Sequence, residues 1–235
     1  MSRSPKTDYS GLARTGLEVV ANEQSASNQN LEIPGANGDI IGGEVFGHVK
    51  APHVDFKITK SITIGGAVAA NKVTLGKVHK SGSAFALKTV SIHTGAGDEP
   101  TFGVDLVQIE TGATQTVCTY DLPEQELSPA KHALTFGAFS YTESATLALQ
   151  TSDYTATCEI DPTTIEGAPV ASDAVKGKIE VAVTFWTADD TTTPSVTAQS
   201  GWTQTGDWNC TGADGAMFVW TATYTMYLTA TAPAS

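Results

Sequence analysis

The sequence predicts an all-β protein, a β-sandwich or half-barrel of about ten strands with an extended N-terminal arm and long loops. Three observations lead there. Apolar and polar residues alternate with period two in one segment after another. Clusters of Gly, Pro, Asn and Ser separate these segments at intervals of about 8–12 residues. No stretch carries sustained helical periodicity. The alternation is clearest in two C-terminal segments, 178–186 and 218–228. In the first, Ile179, Val181, Val183 and Phe185 share one face, and Lys178, Glu180 and Thr184 share the other. In the second, Phe218, Trp220, Ala222, Tyr224, Met226 and Leu228 alternate against Thr221, Thr223 and Thr225.

Residues 1–37 are polar and weakly patterned and read as the arm; 38–235 reads as one β domain. Within the arm, 23–30 is rich in Ser, Asn and Gln and reads as loop. Pro34-Gly-Ala-Asn-Gly38 is a turn signal, because Asn-Gly tolerates positive φ. Strands are then expected at 39–49, 54–64, 73–79 and 85–93. A loop at 95–100 follows, and 102–109 with 115–120 reads as a hairpin around Thr111-Gly112. Pro123 and Pro129 make 122–131 a connector. Further strands are expected at 134–141, 145–150 and 154–160. The Pro- and Gly-containing segment 161–176 reads as irregular. The connection 189–215, which joins the two C-terminal strands, reads as an inter-subunit loop. Those two strands read as the centre of the sandwich, with Ile179, Val181, Val183 and Phe185 packing on Trp220, Tyr224 and Leu228.

The 235-residue chain is large enough to bury a core without disulfides or metal. Its net charge of −12 argues against a nucleic-acid binder, which needs a basic footprint. Charged residues make up 16%, against roughly 25% in ordinary domains, and Thr, Ala, Gly and Ser replace them. Small polar residues of this kind suit strand faces that meet neighbouring subunits or solvent. Cys118, Cys158 and Cys210 are far apart and odd in number, which predicts buried thiols instead of a disulfide framework or a thiolate metal site. No apolar leader is visible at the N-terminus, and no apolar run is long enough for a transmembrane helix.

Candidate chemistry is sparse, and no catalytic, cofactor-binding or metal-ligating residue is assigned. His48 and His53 flank Pro52 with Asp55 nearby, but a metal needs at least three converging ligands. His79, His93 and His132 have no patterned partner. The Gly95-Ala-Gly-Asp-Glu99 cluster lacks the spaced ligands of a calcium loop and reads as a hairpin turn. Trp202 and Trp208 offer either a stacking platform for a sugar, as in carbohydrate-binding sandwiches, or packing surface. No nucleophile elbow, zinc-protease or phosphate-loop motif is present. The expectation is a protein without enzymatic activity or cofactor.

With the strands laid out, residues 38–228 resemble tail-tube-like structural proteins of tailed bacteriophages and prophages. The resemblance rests on an early Gly-containing strand, Gly38-Asp-Ile-Ile-Gly-Gly-Glu-Val-Phe46, before a long hairpin. Late in the chain come Ser172-Asp-Ala-Val-Lys-Gly-Lys-Ile-Glu-Val181 and Gly201-Trp-Thr-Gln-Thr-Gly206, ahead of a final strand ending in Tyr227-Leu228. The resemblance implies a virion structural protein whose sheets join around a six-fold ring. Rings would stack into a tube that carries DNA as passing cargo, with other tail proteins as partners. Assembly would take place in the host cytoplasm. A head decoration or fibre protein, and a carbohydrate-binding sandwich, are the alternative readings.

Overall fold

A computed structural model describes residues 16–34, 40–78, 84–110, 113, 115–130, 133–165, 168–188, 190–214 and 217–232. The protein is all-β, and no helix occurs among the described residues. The strands are β1 (Leu17–Pro34), β2 (Ile40–Ile58), β3 (Ile62–Ile64), β4 (Thr74–Lys77), β5 (Phe85–Gly95), β6 (Asp98–Gln108) and β7 (Gln115–Asp121). They continue with β8 (Gln125–Leu127), β9 (Phe139–Tyr141), β10 (Leu147–Ile165), β11 (Ala168–Thr187), β12 (Val196–Ala198), β13 (Thr203–Asp214) and β14 (Met217–Tyr227).

Eight of them form one antiparallel sheet in the order β1-β2-β6-β5-β10-β11-β14-β13. Its register aligns the alternating apolar residues into rows across the strands. One row runs Val54, Val104, Val90, Ala156 and Ile179. The next runs Phe56, Phe102, Ile92, Tyr154, Val181 and Tyr224. Every residue in these two rows is buried. Since a one-residue slip would turn such a row to solvent, burial itself pins the register.

Three two-stranded sheets, β3–β8, β4–β7 and β9–β12, cover this apolar face. They contribute Ile62, Ile64, Leu75, Tyr120, Leu127 and Phe139 to the same core. Phe139 of β9 stacks on Tyr224 of β14 at 5.0 Å and meets the edge of Phe185 of β11 at 5.7 Å. Beyond β14 the chain returns to this layer, where Thr231 exchanges backbone hydrogen bonds of 2.8 and 3.0 Å with Thr119 of β7. Tyr120 of β7 lies flat on Gly177 of β11, and its hydroxyl donates to the Ala174 carbonyl at 3.3 Å. A Cβ on Gly177 would stand 2.5 and 2.6 Å from two carbons of that ring. Gly177→Ala is therefore expected to destabilise by about 1–3 kcal/mol through overpacking, read as a lower urea midpoint at unchanged slope. Smoothly accommodated alanine, with the midpoint unmoved, would contradict this contact.

Two hairpins outreach the sheet. β2 pairs with β6 only over His53–Lys57, with one further bond from the Lys50 N–H to Gln108 Oε1 at 3.4 Å, so its earlier residues have β1 as their sole paired strand among the described residues. Likewise β10 and β11 stay paired to Ile165↔Ala168, whereas β5 reaches only to Thr157 and β14 only to Lys178. Both hairpins thus continue as two-stranded ribbons. Pro52, Pro162 and Pro169 lie in these ribbons. A ribbon strand has one neighbour, so proline's missing N–H can fall on its unpaired side.

Several expectations are corrected by these pairings. Residues 23–30, expected as loop, lie within β1, so the stretch assigned to an arm supplies Leu17–Pro34 to the sheet. The 37/38 boundary lies outside the described residues. Within segment 161–176, residues 161–165 and 168–176 are ribbon and not irregular chain. Strands 145–150 and 154–160 are parts of one strand, β10. The 102–109 and 115–120 segments do not pair with each other. β6 bonds to β5 through a tight turn at Ala96-Gly97, and β7 bonds to β4. The connection 189–215 contains β12 and the sheet's edge strand β13. β11 and β14 are adjacent, with Phe185 opposite Trp220 and Val181 opposite Tyr224, but β14 is one strand from the sheet edge and not at its centre.

Candidate functional site

The face of the sheet opposite the core carries the protein's concentrated polar chemistry. The same register that lines up the apolar rows also lines up polar ones. One runs Asp55, Gly103, Ser91, Thr155, Glu180 and Thr225; the next runs Lys57, Thr101, His93, Asp153, Ala182 and Thr223. A third places His53 beside Asp105, followed by Thr89, Thr157 and Lys178. Threonine suits these positions because it favours extended backbone and offers a hydroxyl without charge. The Thr205 and Thr225 hydroxyls, for example, bond across β13 and β14 at 2.8 Å.

His53 is the most heavily engaged side chain on this face. Its Nδ1 stands 2.6 Å from Asp105 Oδ1 and its Nε2 stands 3.0 Å from Asp55 Oδ1. Partial burial disfavours the imidazolium. The bond to Asp105 and the charges of Asp55 and Asp105 outweigh that effect, so the His53 pKa is raised above 6.5. Gly103 makes room for this cluster: a Cβ there would meet Ser91 Oγ at 2.7 Å and Asp55 Oδ1 at 3.0 Å. Farther along the face, His93 Nδ1 stands 2.5 Å from Asp153 Oδ1. Lys57–Glu99 at 2.7 Å and Lys178–Glu180 at 2.9 Å add further ion pairs. Beyond Asp153 a shallow groove of about 200 Å³ opens over Ala182, lined by Thr184, Thr205, Asp207, Asn209 and Thr223.

The sequence-derived candidates fall in different places. His53 and Asp55 are together, but their third partner is Asp105, which sequence proximity did not suggest. His93 is not isolated, since strand pairing brings Asp153 to it from 60 residues away. The side chain of His48, and His79 and His132, lie outside the described residues. The Gly95–Glu99 segment is the β5–β6 turn with its flanking residues, and Gly97 holds φ +89° there. Trp202 and Trp208 are half-buried against the core, and Trp208 meets the edge of Phe185 at 5.8 Å. Both rings thus give part of their surface to packing against the core.

The three cysteines are free thiols; Cys158 is buried, whereas Cys118 and Cys210 are only half-buried, so the expected burial holds for one of the three. Burial pushes the Cys158 thiol up to about 12, which makes it a poor nucleophile at neutral pH. Burial likewise pushes the Tyr224 phenol up to about 12 and the Tyr154 phenol higher still. Among the described residues, no group of three or more His, Cys, Asp or Glu is arranged to hold a metal ion. Compared with models of known protein families and with curated proteins, the chain matches none.

Proposed function

We propose that this protein is a virion structural protein, a phage tail tube subunit that self-assembles into stacked rings. One observation carries the reading. The eight-stranded sheet ends in two edge strands, β1 and β13, neither of which has a second neighbour among the described residues. Such edges invite pairing with another chain unless they are covered. Joining the β13 edge of one copy to the β1 edge of the next is a head-to-tail contact, and it closes when the copies form a ring. Ring closure removes both edges of the main sheet and joins the sheets into one barrel.

The polar face supports a lumen role. It carries threonines and the carboxylates Asp55, Asp105, Asp153 and Glu180, offset in part by His53, His93, Lys57 and Lys178, and the whole chain has net charge −12. A surface of that sign repels phosphate, so DNA passes without sticking. The two ribbons supply extensions with which one ring can reach the next.

Negative-stain microscopy of the purified chain tests the proposal. Rings or tubes are expected. Thr203→Lys with Asp207→Lys places two cations on exposed positions of β13 and is expected to abolish them, leaving the β circular dichroism and melting temperature of the monomer unchanged. Deletion of residues 1–15 spares β1, whereas deletion to 37 removes it, so only the shorter truncation separates assembly from folding. A chain that stays monomeric at every concentration and binds glycans on an array would overturn the proposal in favour of a carbohydrate-binding sandwich. Discrete closed particles without stacking would point to a head decoration protein.

A further inference from the structure

We propose that His53, Asp55 and Asp105 form a proton-dependent latch that holds the β1–β2 hairpin on the main sheet. The inference is independent of the tube assignment. The hairpin's backbone pairs with the sheet through one short ladder, the five residue pairs from His53↔Asp105 to Lys57↔Thr101, with one bond beyond it from the Lys50 N–H to Gln108 Oε1 at 3.4 Å. The cluster sits on the first of these pairs, at the point where the ribbon leaves the sheet. The other end is closed by the Lys57–Glu99 ion pair.

The geometry makes the latch depend on a proton. Both ring nitrogens of His53 face carboxylate oxygens, at 2.6 Å across the ladder and 3.0 Å along β2. An imidazolium donates to both; a neutral imidazole has a single N–H and can donate to only one. Deprotonation therefore leaves a ring nitrogen lone pair against a carboxylate. It also leaves Asp55 and Asp105 without the positive charge between them. The remaining neighbours do not compensate. On the β1 side Glu23 stands opposite His53 and is a third acid. On the β6 side Asp105 is followed by the uncharged Thr89 of β5. Along β2 the next cation on this face is Lys57, which Glu99 engages at 2.7 Å. Val54, Phe56 and Ile58 remain buried on the opposite face. The ladder thus opens from its His53 end while the root of the hairpin stays docked.

The sign follows from the raised His53 pKa. The latch contribution is fully present below the unfolded-state value of 6.5 and is lost as pH rises through the higher folded-state value. Hydrogen exchange read by mass spectrometry, corrected for the intrinsic pH dependence of exchange, measures this directly. Protection of peptides covering 53–58 is expected to fall about tenfold, relative to peptides in β10 and β11, between about pH 5.5 and about pH 8.5. His53→Gln is expected to make that ratio independent of pH, and His93→Gln is expected to leave the wild-type dependence intact. If His53→Gln does not fold, Asp55→Asn carries the test. It keeps Asp105 as partner but removes the second carboxylate, so its ratio is expected to change with pH by less than the wild type's. A wild-type ratio that does not change with pH, a change that persists in the folded His53 variant, or one that is undiminished in the Asp55 variant, would overturn the latch.

Discussion

Phe185→Ala is expected to lower the unfolding free energy by about 3–5 kcal/mol, measured by chemical denaturation. Phe185 is completely buried. It lies opposite Trp220 on one side and Leu149 on the other, so it fills the layer between three strands of the main sheet. Phe139, Tyr141 and Trp208 all meet it tilted or edge-on, with ring centroids at 5.7, 5.1 and 5.8 Å. Edge-on contacts of this kind add to plain area burial. Phe139 and Tyr141 come from β9 and Trp208 from the edge strand β13, so the cavity would loosen the covering layer and the sheet edge together. Phe185→Leu keeps much of the volume and is expected to cost less than half as much. A loss below about 1 kcal/mol for alanine would mean that the surrounding rings collapse into the space and that the core is not the rigid assembly described.

Gly65→Ala is expected to cost about 2–5 kcal/mol, from two separate effects. Gly65 holds φ +78°, a left-handed conformation that costs an L-residue about 1–2 kcal/mol. The rest is overpacking of about 1–3 kcal/mol. A Cβ would stand 2.7 Å from the Leu122 carbonyl oxygen and closer still to that of Pro123. These are backbone atoms, fixed by the hydrogen bonds from Gly66 N–H to the Leu122 carbonyl at 2.8 Å and from Leu122 N–H to the Val73 carbonyl at 3.0 Å. They cannot swing aside as a side chain can. Gly97→Ala is the control. It has φ +89° with nothing within 4 Å of the added Cβ, so only the conformational cost applies. Melting temperatures that fall equally in the two variants would show that the close approach at Gly65 contributes nothing.

Strand content was legible because alternation is a local property. Ile179, Val181, Val183 and Phe185 needed no partner to declare which face they bury. The same holds for Val54, Phe56 and Ile58 in β2, and for the Ala96-Gly97 turn. What proline signified was not legible. Pro162 and Pro169 marked 161–176 as irregular because a strand inside a sheet has neighbours on both sides. Only the pairing pattern reveals that these residues sit in a ribbon with a free side. β1 was missed for a related reason. Its Ser, Asn and Gln residues are poor strand formers alone, and pairing along β2 supplies the ordering that propensity does not.

The candidate site divides in the same way. Sequence alone placed His53 and Asp55 near each other and set threonines and acids on the faces turned from the core. It did not reveal that Asp105 completes the His53 cluster, that Asp153 meets His93, or that β1 and β13 are left as edges. Hydrophobic periodicity determines which residues point inward, because each strand settles that against solvent by itself. Strand order and register depend on which distant segments win the competition to bury those faces together. Contacts across 52 or 60 residues, as in His53–Asp105 and His93–Asp153, exist only once that competition is settled by the tertiary structure.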